Sequence, residues 1–257
     1  MIIRKSPDEL DKMRRSGAIL ADTIEAVVEA VRPGATTDDL DTLAERLIRD
    51  AGAVPSFLGY RGFTKTICAS VNDEIVHGIP SGDRVLREGD LLSLDFGAIW
   101  EGFHSDSAVS VFVGGQAPSE EAARLVKTTE ESLDAAIAAI QPGGRLSDIG
   151  HAVEAVAAPA GFGIVREYGG HGIGRSLHED PFIQNWGPPG RGPDLRAGLV
   201  VAVEPMLTLG GEETRQLADG WTVVTADGSL SAHFEHTIAV TEDGPEVLTA
   251  RRAAVPG

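Results

Sequence analysis

Cysteine is almost absent: Cys68 stands alone in 257 residues. A disulfide within the chain is excluded, and a reducing cytoplasm is the expected location. The first residues, Met1 to Glu9, lack the apolar core of a secretory signal. Long apolar runs are missing as well. The longest, near Ala197–Val203, falls far short of the ~20 residues that a bilayer crossing needs. Positive charge is scarce, with 22 Lys and Arg against 39 Asp and Glu and a formal net charge of −17. Sequence-independent nucleic-acid binding rests on a basic footprint, so no nucleic-acid partner is expected. Near-average hydrophobic (42%) and charged (24%) fractions fit a well-cored globule, either one large domain or two small ones.

Two familiar motifs are missing. The glycine-rich run 169–174, Gly-Gly-His-Gly-Ile-Gly, lacks both dinucleotide-loop spacing and a following Gly-Lys-Ser/Thr. His178-Glu179-Asp180 does not continue to a second histidine, which excludes a zincin helix.

What the chain does contain is a repeat that carries acids. Residues 86–95 and 195–204 both begin Leu-Arg-x-Gly, continue as an apolar strand and end on a carboxylate, Asp95 or Glu204. A second acid opens a second strand in each copy, Asp106 and Glu235. The offset of the first pair, 109 residues, also aligns Pro33-Gly34 with Pro142-Gly143, Asp39 with Asp148 and Glu45 with Glu154. Further back, Met13, Gly17, Ile24 and Val27 fall on Ala122, Val126, Leu133 and Ala136, in steps of helical period. Each half therefore reads as helix, Pro-Gly break, helix, strands. The halves, about 9–113 and 118–241, are expected to share one site in a single domain spanning 1–257. Packed about a pseudo-two-fold axis, they bring four carboxylates together. Four bare carboxylates need neutralising, and two divalent cations supply it.

Local signals place the elements. Ser6-Pro7-Asp8-Glu9 caps a helix to about Val31, and Thr37-Asp38-Asp39 starts one that ends at Gly52. Ser119 caps a helix to Ile140, and Ser147-Asp148 caps one to about Ala158. Strands are predicted at 65–71, 75–76, 91–96, 107–113, 164–168, 199–204, 221–224 and 236–240. Asp95 and Asp106 lie on or beside two adjacent strands, where alternation lets both face one side. Asp95 and Glu204 each end an apolar run, where an acid needs a partner, a metal or a shifted pKa. Three histidines, His77, His171 and His178, lie beside Gly-rich turns in a chain with seven. Any one alone reads as an ordinary surface or core ring. Cys68 reads as a core thiol, which leaves oxygen and imidazole donors and favours Mn, Fe, Co or Zn over thiolate-bound metals.

Six stretches, at 68–80, 94–97, 102–107, 170–175, 203–206 and 235–238, together resemble the type I methionine aminopeptidases, a family of α+β pita-bread fold. The likeness runs from about residue 4 to 250. It implies two pseudo-two-fold-related α/β halves around a central antiparallel sheet. It also implies two divalent metal ions on Asp95, Asp106, His171, Glu204 and Glu235. In that scheme Asp106 and Glu235 bridge, His171 and Glu204 serve one ion and Asp95 the other. Glu204 is the base, His77 and His178 touch the substrate, and Tyr60, Phe63, Cys68, Leu177 and Trp221 line a methionine pocket. Leu177 stands where an aromatic would be expected. Removal of the initiator methionine before a small second residue is implied, with N-terminal Met peptides and nascent chains as partners, contact with the ribosome, and a monomer. Two rivals share the fold: a proline-directed aminopeptidase, and a non-catalytic binding module, which would have lost ligands where this chain keeps all five.

Overall fold

The computed structural model describes residues Met1–Arg251. Residues 252–257, the end of the expected domain, lie outside the described residues. Two helix pairs frame the fold. Helix α1 (Pro7–Ala30) begins at Ser6, whose hydroxyl accepts from the Glu9 N–H while its own N–H donates to the Glu9 carboxylate. Its residues Met13, Leu20, Ile24 and Val27 follow a three–four spacing and are fully buried. Helix α2 (Thr37–Asp50) starts where expected, and Thr36 before it forms the capping box with Asp39. Helix α3 (Glu120–Ala139) is capped by Ser119 as predicted. Helix α4 (Leu146–Ala160) starts early: the Asp148 carboxylate accepts from the Arg145 N–H, so Asp148 lies a turn inside rather than at the cap.

The first half carries β1 (Val54–Pro55), β2 (Ile67–Val71), β3 (Glu74–Val76), β4 (Leu91–Trp100) and β5 (Phe103–Phe112). The second carries β6 (Gly163–Ile164), β7 (Gly170–Gly172), β8 (Glu179–Ile183), β9 (Val200–Val203), β10 (Met206–Thr208), β11 (Thr214–Gln216), β12 (Val223–Thr225), β13 (Ser231–His233), β14 (His236–Thr241) and β15 (Gly244–Val247). In the larger first-half sheet β4 pairs with β5 along its whole length and with β1 and β2 on its other edge. The second-half sheet runs β15-β14-β9-β7-β8. Two three-stranded sheets, β13-β10-β6 and β11-β12-β3, complete the set. Every pairing among the described strands is antiparallel.

The halves repeat in their hydrogen bonds. The bridge Thr36–Val85 recurs as Arg145–Asp194. The bonds Gly34 N–H to Leu86 O and Leu86 N–H to Ala35 O recur as Gly143 N–H to Leu195 O and Leu195 N–H to Gly144 O. In each copy the Pro-Gly break between the helices is thus tied to the Leu-Arg-x-Gly segment that opens a strand.

Alternation decides which faces meet. Leu92, Leu94, Phe96 and Ala98 of β4 pack into the α1–α2 core, which turns Ser93 and Asp95 to the opposite side. Val201 and Val203 of β9 and Ile238 and Val240 of β14 pack into the α3–α4 core. Glu204 and Glu235 have the other parity. The two large sheets are joined where Ala108 and Glu235 exchange both backbone hydrogen bonds and Thr237 Oγ1 bonds to the backbone N–H and C=O of Asp106.

Several expectations change. β4 and β5 extend to a two-residue turn, Glu101-Gly102, with φ of 46° and 80°. Asp95 and Asp106 therefore lie inside the strands, not at an end and a beginning. Residues 165–168 are not a strand; only Gly163–Ile164 pairs there. The glycine run, by contrast, contains strand β7, because glycines let it pack tightly. A Cβ at Gly170 would lie 2.3 Å from Ala202 O, and one at Gly172 would lie 2.1 Å from Asp180 O.

Candidate metal centre

The register of β4 and β5 sets Asp95 opposite Ala108 and Asp106 opposite Gly97. The two acids are thus diagonal neighbours on the face turned away from the helices. On β2, Cys68 is directly opposite Asp95 on that same face. From the other half, β7 presents His171 between β8 and β9, paired with Phe182 and Ala202. Glu204 follows β9 and Glu235 leads into β14.

These side chains converge. His171 Nε2 lies 3.8 Å from Asp106 Oδ2 and 3.6 Å from Glu204 Oε1. One donor atom each from Asp106, His171 and Glu235 falls within 4.8 Å of the others, and all three residues are buried. His171 Nδ1 is 2.9 Å from the Gly172 carbonyl, to which it can only donate. Burial pushes its pKa down to about 3, so the ring is neutral and Nε2 keeps its lone pair for the centre.

The acids carry a large electrostatic cost. Burial pushes Asp95 up to about 7. Burial first, and then the charges of Asp95 and Glu204, raise Asp106 well above the carboxylate range. Burial and the facing acids raise Glu204 and Glu235 in the same direction. Asp95 Oδ1, Asp106 Oδ1 and Glu235 Oε1 are buried without a hydrogen-bond partner. Buried acceptors are normally satisfied. Orphaned oxygens on three of four crowded acids beside a neutral imidazole are what hard or borderline divalent cations require. The residues present therefore fit a divalent-metal set. Burial, and next the charge of Asp95, raise Cys68 well above the ordinary thiol value, so it offers the centre no thiolate.

Above the acids lies a cavity of about 160 Å³. All twelve residues singled out from the sequence border it: the five above, His77, His178, Tyr60, Phe63, Cys68, Leu177 and Trp221. Phe63 meets the Trp221 ring edge-on at 5.0 Å, and His77 stands edge-on to Trp221 at 6.2 Å. Leu177 is buried and packs in the same apolar cluster as Phe63, Cys68 and Trp221. His178 stacks on Tyr60, and its Nδ1 is 2.9 Å from the tyrosine hydroxyl. Burial lowers His77 to about 4 and shifts His178 downward, so both rings are neutral at pH 7.

Sequence reasoning missed five contributors. Phe57 and Arg61 also border the cavity. Lys5 and Glu179 form a buried ion pair at 2.8 Å, and Glu179 accepts from the Ser176 N–H, bracing the segment that carries Leu177 and His178. His233 is 2% exposed and points Nε2 at the acids. No strand pattern marks it, because His233 ends β13 while Glu235 lies between β13 and β14.

The model of metallopeptidase family M24 matches residues 11–242. The chain is 52% identical over 255 residues to methionine aminopeptidase 1 of Mycobacterium tuberculosis (strain CDC 1551 / Oshkosh), covering 97% of this chain and 95% of that one. It is 51% identical over 249 residues to methionine aminopeptidase 1 of Bacillus subtilis (strain 168), covering 97% and 99%. It superposes on the crystal structure of methionine aminopeptidase from Thermotoga maritima with a TM-score of 0.95 at 43% identity, covering 98% of this chain and 100% of that one.

Proposed function

The chain belongs to metallopeptidase family M24, and from that premise we propose that it is a methionine aminopeptidase of pita-bread fold. It removes the initiator methionine from proteins whose second residue is small and uncharged. The observation that carries this reading is the floor of the cavity: four crowded acids and a neutral imidazole, with orphaned carboxylate oxygens, beneath an apolar and aromatic wall. The site draws on both halves, so the 257 residues are read as one catalytic domain. We read it further as a cytoplasmic monomer that meets nascent chains at the ribosome, in keeping with its single, buried thiol.

Asp95, Asp106, His171, Glu204 and Glu235 would hold two divalent cations, which when bound supply a Lewis acid and an acidified water. Glu204 opens onto the cavity with its side chain 14% exposed. There it accepts the proton of the attacking water and returns it to the departing amine. With the Tyr60 hydroxyl donating to Nδ1, His178 carries its proton on Nε2 and donates to the oxygen of the scissile amide as charge develops there. His77, neutral and fixed beside Trp221, holds the substrate near the same bond. Tyr60, Phe63, Leu177 and Trp221, with the Cys68 thiol, pack against a flexible thioether. Leu177 keeps the wall apolar where an aromatic was expected, and the pocket is correspondingly less ringed.

His178→Ala and His77→Ala are expected to fold, to keep both metal equivalents and to turn over about 10²-fold more slowly, the scale of a lost acid–base or donor group. Metal analysis alongside steady-state rates checks this. Loss of one equivalent in either variant would make that histidine a ligand.

Specificity is tested with a matched peptide panel. Met-Gly, Met-Ala and Met-Ser N-termini are expected to be cleaved, and Met-Leu, Met-Lys and Met-Phe hardly at all. Norleucine should replace methionine with a modest loss, since one change in an apolar pocket is worth roughly 1–3 kcal/mol. Faster release of Xaa from Xaa-Pro than of Met from Met-Ala would hand the assignment to a proline-directed enzyme.

A further inference from the structure

Glu204 lies between two imidazoles. Its Oε1 is 3.6 Å from His171 Nε2, and its Oε2 is 3.9 Å from His233 Nε2. The same His233 nitrogen is 3.9 Å from Glu235 Oε2. His233 Nε2 is buried and has no hydrogen-bond partner. Its backbone leaves it little freedom. At the end of β13 its N–H donates to Ser110 Oγ and its carbonyl accepts from the same hydroxyl, so strand β5 of the other half anchors it. A ring on a backbone anchored this firmly, buried and facing two acids with an unused nitrogen, has a function that those acids define. The compact donor group comprises Asp106, His171 and Glu235. His233 stands outside it and faces the outer oxygen of Glu204, not the one turned to His171.

We infer that His233 is a positioning residue: its Nε2–H holds the outer oxygens of Glu204 and Glu235 and so turns Glu204 Oε1 toward His171 and the metals. The ring contacts no substrate in this scheme and is not itself a ligand. The inference rests on the reading of Glu204 and Glu235 as ligands. Partners of that kind commonly contribute 10–100-fold in metal affinity.

The test compares His233→Leu, which removes the donor, with His233→Gln, which keeps an N–H at comparable reach. Exhaustively chelated full-length proteins are titrated with Co²⁺ by calorimetry and visible absorption. The kcat and KM of the cobalt-loaded forms are then measured on a Met-Ala peptide. The wild type should take up two equivalents. His233→Leu should also take up two, with affinity for at least one lowered about 10–100-fold and kcat lowered with KM little changed. His233→Gln should recover most of both losses. If His233→Leu does not fold, His233→Met, similar in volume and without a donor, replaces it. Wild-type affinity and rate in the Leu or Met variant would overturn the inference. Loss of one equivalent that Gln fails to restore would also overturn it and make His233 a ligand. A wild type that takes up no Co²⁺ would instead bring down the reading of the five residues on which the inference rests.

Discussion

Replacing Glu204 by Gln is expected to lower kcat by at least about 10²-fold with the fold intact, since general-base catalysis commonly contributes 10²–10⁴-fold. The amide matches the acid in size, so packing after β9 is preserved, but it cannot accept a proton. Burial and the charge of Asp95 hold the Glu204 pKa well above the usual carboxylate range. A carboxylate so raised is a better proton acceptor, and positive charge brought to the site restores its ionised form. Because Glu204 Oε1 also faces His171 at 3.6 Å, the substitution can cost a metal ion as well as a base. Metal content measured with the rate separates the two. A deficit cured by excess metal assigns the loss to binding. A deficit that persists at full occupancy assigns it to proton transfer. A near wild-type rate would remove Glu204 from both roles.

Exhaustive chelation is expected to abolish activity, and Mn, Co or Fe to restore it. The same experiment carries a stability signature with a definite sign. Asp95, Asp106, Glu204 and Glu235 all have folded pKa values above their ordinary ones, chiefly through burial. A raised carboxylate favours the fold fully only below its unfolded value, and that contribution is lost as pH rises through the folded value. For Asp95 the window runs from the ordinary 3.8 to about 7. The metal-free protein should therefore lose Tm across that window by more than the metal-loaded protein does. Calorimetry of the two forms at matched pH cancels the background of a chain with net charge −17. Full activity in verified metal-free protein would sink the metal-dependent mechanism, and parallel Tm curves would mean the acids are not in electrostatic conflict.

How much of this was legible in the sequence depends on the range of the interaction. Helix starts were readable to within two residues, because caps are local: Ser6 and Ser119 cap as expected and α2 begins at Thr37, while Arg145 caps α4 two residues before Ser147. The shared face of Asp95 and Asp106 followed from strand alternation. Their place inside long strands did not, because the Glu101-Gly102 turn puts a non-glycine residue at positive φ, against local preference. His171 stood out by its glycine neighbours, yet its strand was hidden. Three residues of Gly-His-Gly have no β propensity, and β7 exists because Ala202 and Phe182 flank it. β8, β10, β11 and β13 are three to five residues long, too short to show a period. His233 escaped for that reason. Its nearness to Glu204 depends on the pairing of Met206 with His233, which no local pattern encodes.

The seam between Ala108 and Glu235 gives the metals a mechanical office. Asp95 and Asp106 belong to one sheet, while His171, Glu204 and Glu235 belong to the segments of the other, and the two sheets meet in the Ala108–Glu235 bonds while β3 and β12 pair across the halves elsewhere. Each half has an apolar cluster of its own, and a third is shared between them. On the proposed ligand set, cations held from both sides would act as a clasp, complete only when the two sheets are seated in register. A ligand that binds the seated state alone stabilises it by RT ln(1 + [L]/Kd), about 2.7 kcal/mol at a hundredfold excess over Kd. That energy falls on the joint between the lobes rather than within either one. On the proposed ligand set, metal supply would set how firmly this joint is held as well as how fast the enzyme works.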